Sequence, residues 1–351
     1  MDLSQLRRRA EEAYRDLPMP SDRYTSLSWW REEDYPRDTS SYVQMDLPEG
    51  VEVDTAGVVG DIVRPDSWKF IAFHYMNLDS PLLLRVRDGV KVGGVARVRL
   101  HVEGREHFHL RLEVGREAHV EVLLEVSGSG LYTEAVEAKV GEGGSLILNV
   151  INAMDGEAVA FVERGMVVEG GGGGRLAGVW LGGRFVMAKH RLKPSGAEAH
   201  VEDAQVLVGA HSQHLNLHSH LDFTVPHTRG ESNLRAVLKD RASATLYGMI
   251  DVRPEAKGTD AFLSEHALLL NGGARANAIP ALEIMTDDVR ATHSASVGPV
   301  DEEKLFYLMS RGLKREEAKR LIVLGFLEPA LRKLDEGGRS TVVGRIEEIL
   351  S

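Results

Sequence analysis

Apolar and polar residues alternate with a period of two through most of this chain. Val98, Leu100 and Val102 alternate with Arg97, Arg99, His101 and Glu103. Phe108, Leu110, Leu112 and Val114 alternate with His107, His109, Arg111 and Glu113, and Val120 and Val122 follow beside His119 and Glu121. Successive side chains of a strand point to opposite faces, so these runs predict half-buried strands. The series opens at Leu82-Leu83-Leu84-Arg85-Val86, and Gly104, Gly115 and Gly128 bound its members. A strand about every eleven residues is the spacing of an all-β architecture. No helical pattern is visible across residues 55–290, which excludes alternating strands and helices. A sandwich, a barrel or a β-solenoid remains. The length of the region favours the solenoid, which stacks short strands on successive coils around one core.

Both ends change period. Residues 3–16 predict an amphipathic helix with Leu3, Leu6, Ala10 and Tyr14 on one side, ended by Pro18 and Pro20. Ser26 to Ser41, with Trp29, Trp30, Tyr35 and Pro36 amid charge, reads as an ordered loop. After Gly298-Pro299, Asp301 suits an N-cap for a helix over 302–311, and Gly312 suits the left-handed residue that closes it. A second helix is expected from Arg315 to Leu324, with Lys314 a poor N-cap and Gly325 a break. A further segment over Leu327–Leu334 and a last helix over Thr341–Leu350 follow. The chain thus divides into an N-terminal helix and loop (1–54), a β core (55–298) and a helical tail (299–351).

Composition narrows the function. The 42 basic and 53 acidic residues leave a net charge of −11, which argues against a nucleic-acid partner held by its phosphates. There is no cysteine in the 351 residues, so disulfides, thiol nucleophiles and zinc knuckles are excluded. The N-terminus has charge but no apolar core of a secretory signal, and no run approaches a membrane span. A cytoplasmic protein without a membrane partner is expected.

Few residues suggest chemistry. His211, His214, His218, His220 and His227 crowd one segment. On a strand, His214, His218 and His220 point outward, opposite Leu215, Leu217, Leu221 and Phe223. Outward histidines can share an ion or form a polar interface edge. Gly170 to Gly174 lacks the Gly-Lys-Ser/Thr ending of a phosphate loop and reads as a turn. Asp287 and Asp288, adjacent on a strand, would face opposite sides and make no acid/base pair. No Gly-x-Ser-x-Gly elbow is present. The expectation is a protein that is not an enzyme.

One stretch carries more. Leu268-Leu269-Leu270-Asn271-Gly272-Gly273-Ala274, Ile279-Pro280-Ala281-Leu282-Glu283-Ile284 and Ala291-Thr292-His293-Ser294-Ala295-Ser296-Val297-Gly298 lead into Val300 to Gly312. This run resembles the SufB/SufD family, scaffold subunits of the SUF iron–sulfur cluster assembly machine. The resemblance implies a right-handed parallel β-helix core between helical ends. SufB-type proteins place a cysteine where this chain has Ala274, and a glutamate beside the matching histidine where it has Ser294. The SufD side of the family is therefore implied. The same resemblance makes His293 a ligand for a transient cluster at a subunit interface, with no stably bound cofactor in the lone chain. It places the His214, His218 and His220 strand near that interface. It implies docking of a SufC-like ABC ATPase through Phe306, Tyr307, Arg311, Gly312 and Phe326, although one of the two adjacent aromatics is expected in the core. The partner the resemblance implies is a SufB-like homologue in a heterodimer. The alternatives are a homodimeric, cysteine-free scaffold working with SufC alone, or a β-helix enzyme acting on carbohydrate.

Overall fold

The computed structural model describes residues 3–21, 24–35, 40–54 and 58–350. Pro36 of the expected aromatic loop lies outside them. The core is a parallel β-solenoid of about eight turns. Each turn contributes one strand to each of two facing nine-stranded sheets. The first sheet holds β4 (Lys91–Val102), β6 (His119–Gly128), β8 (Ser145–Met154), β10 (Gly173–Trp180), β12 (His200–Gly209), β14 (Arg229–Leu238), β16 (Thr259–Leu269) and β18 (Val289–Pro299). The second holds β3 (Leu82–Val86), β5 (Arg105–Val114), β7 (Leu131–Val140), β9 (Val159–Val168), β11 (Phe185–Pro194), β13 (His214–Phe223), β15 (Ser243–Val252) and β17 (Arg275–Ile284). Inward rows such as Val98, Leu124, Val150, Leu215 and Leu246 merge into one continuous apolar core.

Turns between strands are short, and the one from β6 to β7 requires glycine at two positions. Gly128 and Gly130 have φ of +96° and +108°. A Cβ at either would overlap the carbonyl oxygen of Val102 or Gly104 on the preceding turn.

Both sheets are covered on their outer faces over part of their length. α1 (Leu3–Asp16) forms where the sequence predicts it, with Leu6 and Ala10 buried. It packs on α2 (Lys69–Asn77), a helix the alternation gives no sign of. Phe70, Ile71, Ala72, Phe73, His74 and Tyr75 are all buried in α2, so no polar stripe marks it as a helix. Together α1, α2, Trp29 and Trp30 cover Leu131, Phe161, Phe185 and Met187 on the second sheet. Phe70 stacks on Phe161 at a centroid distance of 3.4 Å.

The tail covers the first sheet. α3 (Glu302–Ser310) starts at Asp301, whose Oδ1 accepts from the Glu303 and Lys304 amides at 3.0 and 3.1 Å. Gly312, at φ +98°, ends its turn. α4 runs unbroken from Arg315 to Leu331, through the expected stop at Gly325. Glycine costs a helix only about 1 kcal/mol, and Val323, Leu327, Ala330 and Leu331 gain by packing on Val179, Val206 and Val237. Glu317 accepts from the Lys314 amide at 2.9 Å, which supplies the N-terminal bond that the Lys314 side chain cannot. α5 (Glu336–Leu350) begins before the expected Thr341, because Asp335 accepts from the Gly338 amide at 2.9 Å.

The two ends of the solenoid differ. At the first turn, β1 (Tyr42–Asp46) and β2 (Glu52–Asp54) lie antiparallel on β4 and β3 and cap both sheets. At the last turn, β17 and β18 are the terminal strands of their sheets.

Candidate functional site

His293 lies on β18, in register with Leu263 of β16. Neighbours in register in a parallel sheet point to the same face, so His293 belongs to the inward row with Val289, Ala291, Ala295 and Val297. The corresponding row of β17 is Ala276, Ala278, Pro280, Leu282 and Ile284. In every earlier turn this row is sealed by the next. Here Leu282, Ile284 and Val297 remain 36%, 39% and 42% exposed, and His293 is exposed. Pro280 lacks a backbone donor, as suits a strand at an edge. The last turn is an open cross-section of the core, with an imidazole set in it.

Two groups stand just behind that surface. Glu265, in register with Ala295, is fully buried in the inward row of β16. Burial pushes its carboxyl up to about 8. On the outer side, His266 bonds Ser296 at 2.6 Å and Ser294 at 3.2 Å. Ala274 is buried at the start of β17 and packs in the core. Asp287 and Asp288 lie in the bend between β17 and β18, not on a strand as expected. The Asp288 carbonyl accepts from the Gly258 amide at 2.7 Å.

The histidine segment forms β13, with Leu215, Leu217, Leu221 and Phe223 inward as its alternation requires. His214, His218 and His220 face outward on the second sheet. His214 bonds Ser243 at 2.6 Å, and the His218 ring lies 5.2 Å from Tyr247. His211 sits in the preceding turn with φ +57°. This row and His293 therefore occupy different surfaces. No group of three or more metal-ligating side chains occurs among the described residues.

On the tail, Phe306 and Tyr307 are both exposed, at 73% and 57%, so neither is a core residue as expected of one of them. The Arg311 guanidinium lies 5.2 Å from the Tyr307 ring centre. Tyr307, Leu308, Leu321 and Ile322 line an open groove of about 590 Å³ between α3 and α4. Phe326 is separate from this patch. It is half-buried against the solenoid, with Arg235 5.4 Å from its ring.

Inside the core runs a polar column that the sequence reading does not anticipate. Tyr132 Oη donates to Glu134 at 2.6 Å, and Arg164 Nε donates to Glu134 at 2.6 Å. Arg164 lies 4.8 Å from the Trp180 ring centre, and Trp180 Nε1 donates to Gln205 at 2.9 Å. Gln205 donates to Asp203 at 2.7 Å, beside His190 at 3.1 Å and Ser219 at 2.6 Å. Ser232 extends the column, donating to Ser219 at 2.9 Å. The available signal was a polar residue on an apolar inward row: Glu134 between Tyr132 and Val136, or His190 between Ala188 and Leu192.

Comparison with known proteins identifies the surroundings of these sites. Residues 101–326 match the family model for SUF system FeS cluster assembly, SufBD core domain. An iron–sulfur cluster assembly SufBD family protein of Mycobacterium leprae is 30% identical over 234 residues, 64% of this chain and 60% of that protein. The iron–sulfur cluster assembly protein SufD of Bacillus subtilis is 44% identical over 112 residues, 32% of this chain and 26% of that protein. The SufB protein of the same bacterium is 25% identical over 281 residues, 78% of this chain and 60% of that protein. The chain thus spans less than two thirds of each relative's length. With its β-solenoid between helical ends and the core-domain match over most of its length, the chain belongs to the SufB/SufD family of the SUF iron–sulfur cluster assembly system.

Proposed function

We propose that this chain is a SufD-like, noncatalytic scaffold subunit that forms half of a cluster-assembly interface. The observation that carries this reading is the open last turn, where His293 lies on an uncovered inward row in a chain without cysteine. An edge with free backbone groups and half-exposed Leu282, Ile284 and Val297 gains by pairing with another chain. A neutral imidazole at its centre is a competent iron ligand, and Ala274 offers no thiolate. The sulfur ligands therefore come from the partner, a SufB-like chain that carries cysteine. The cluster is cargo, built at the joint and passed on.

The exposed Phe306 and Tyr307, with Arg311 behind them, supply the aromatic anchors of a second docking surface. We assign it to a SufC-like ATPase, whose ATP-driven movement reshapes the joint between the two scaffold chains. Co-expression with such an ATPase and a SufB-like homologue, followed by mass determination, tests the whole arrangement. A complex containing all three chains is expected. A complex of this chain and the ATPase only, two copies of each, would replace the heterodimer by a homodimeric scaffold, and failure to bind either partner would remove the reading.

A further inference from the structure

Where the N-terminal segment stops, the outer face of the second sheet steps down. A cavity of about 430 Å³ opens there between the Arg64–Trp68 stretch and strands β11, β13 and β15. Two cations on the outward row of β11 face it. Lys189 Nζ lies 4.4 Å from the Trp68 ring centre. Burial holds its ammonium below the usual lysine range; Glu163 offsets part of this, and repulsion from Arg191 adds to it.

The nearby carboxylates are committed elsewhere. Glu163 Oε2 accepts from Ser67 Oγ at 2.6 Å and Trp68 Nε1 at 2.7 Å. Asp66 accepts from Arg9 at 2.6 Å and Arg64 at 3.1 Å. Among the described residues, neither Lys189 nor Arg191 is in an ion pair.

His220 holds one of the two cations in place. Arg191 Nη2 lies 3.3 Å from His220 Nδ1. A guanidinium only donates, so Nδ1 accepts and the neutral ring carries its proton on Nε2. Burial first, then Arg191, holds this imidazole below its usual range and keeps it neutral. Nε2 is buried and has no hydrogen-bond partner among the described residues. Asp251 Oδ2 is 3.8 Å away and accepts instead from Arg253 at 2.7 Å. An ammonium and a guanidinium therefore face one cavity, with the neutral His220 ring against the guanidinium.

We propose that this cavity binds a phosphate-bearing small molecule, its oxyanion held by Lys189 and Arg191. A tetrahedral oxyanion relieves the repulsion between the two cations and accepts their charge-assisted hydrogen bonds. The cavity exceeds the size of a phosphate and falls in the range of small-molecule sites. Tyr247 on its wall offers apolar surface to the rest of the ligand. The site shares no residue with the last turn or the tail, so it stands independently of the scaffold reading.

Isothermal titration of the full chain with inorganic pyrophosphate tests the proposal, with citrate as a carboxylate control. Saturable binding at one site is expected, weakened at least about tenfold in Lys189→Met and in Arg191→Gln. Citrate should bind at least about tenfold more weakly. Arg191 is exposed, so Arg191→Gln keeps the fold, and an unchanged thermal melt checks this. Absence of saturable binding, unchanged affinity in both variants, or equally tight citrate binding would each overturn the proposal.

Discussion

Leu263 and His293 stand in register on adjacent turns and face the same way, yet Leu263 is fully buried and His293 is exposed. No further turn covers β18, and this makes His293 a side chain of the core presented at the surface. His293→Ala removes no buried contact, so the thermal melt should not move. Cluster yield in the co-expressed complex should fall by roughly tenfold, the lower end of losses when the shell around a metal is disturbed. Unchanged yield would end the ligand role.

The surface around His293 is as testable as the histidine. Leu282→Lys or Val297→Lys places an ammonium on the open row without burying it in the lone chain. Each should leave the monomer's melt within about 1 °C, since surface changes cost roughly 0.5 kcal/mol or less. Association with the SufB-like chain should weaken by more than tenfold, measured by analytical ultracentrifugation. A charge tolerated at both positions would move the joint elsewhere.

Phe306 and Tyr307 are exposed to a degree rare for aromatics that serve the core. Phe306→Ala with Tyr307→Ala should leave stability unchanged and cost 2 kcal/mol or more in ATPase affinity, about the magnitude of an interface hot spot. Loss of stability instead would mark the pair as part of the fold.

The buried Glu134–Arg164 pair, 0% and 2% exposed in its side chains, gives a sharper test of the core. Removing one partner strands the other charge, so Arg164→Met should cost about 3–5 kcal/mol in urea unfolding. The double variant Glu134→Gln, Arg164→Met should cost less than the single one, because no charge is left unpaired. A larger loss in the double variant would contradict this account.

Stability should vary with pH on two limbs. Burial lowers His107 from 6.5 to about 3, so the unfolded chain binds the extra proton and stability rises with pH between about 3 and 6.5. Burial raises Glu265 from 4.5 to about 8, so the folded chain holds the extra proton and stability falls with pH between about 4.5 and 8. Glu265→Gln should flatten the fall between pH 6.5 and 8 and steepen the rise between about 4.5 and 6.5, where the two groups oppose each other. Thermal melts across this range should show a difference of a few degrees; parallel profiles would refute the assignment.

Strands, helix α1 and the cap at Asp301 were legible because each rests on local signals of period or capping. α2 was not, since a helix buried on every side reads like any apolar run. The end of α4 was misplaced at Gly325 because the packing of Leu327 and Ala330 on the solenoid lies far away in sequence. The repeat itself stayed hidden because turns differ in length: His119 sits opposite Ser145, but Arg229 opposite Asp260. His293 was reached through resemblance, and only the register with Leu263 shows why its exposure is special. The cavity at Lys189 needed Arg64–Trp68 and β11 brought together, which no local pattern reports.

The unequal ends of the solenoid have a consequence for assembly. A stack with two matching bare ends would polymerise end to end, as fibrils do. Here β1 and β2, short and antiparallel, blunt one end. Among the described residues, the end bearing His293 leaves the terminal strands of both sheets uncapped, so the stack could be continued there and not past β1 and β2. The same geometry that leaves one cross-section of the core open makes the solenoid a one-ended stack.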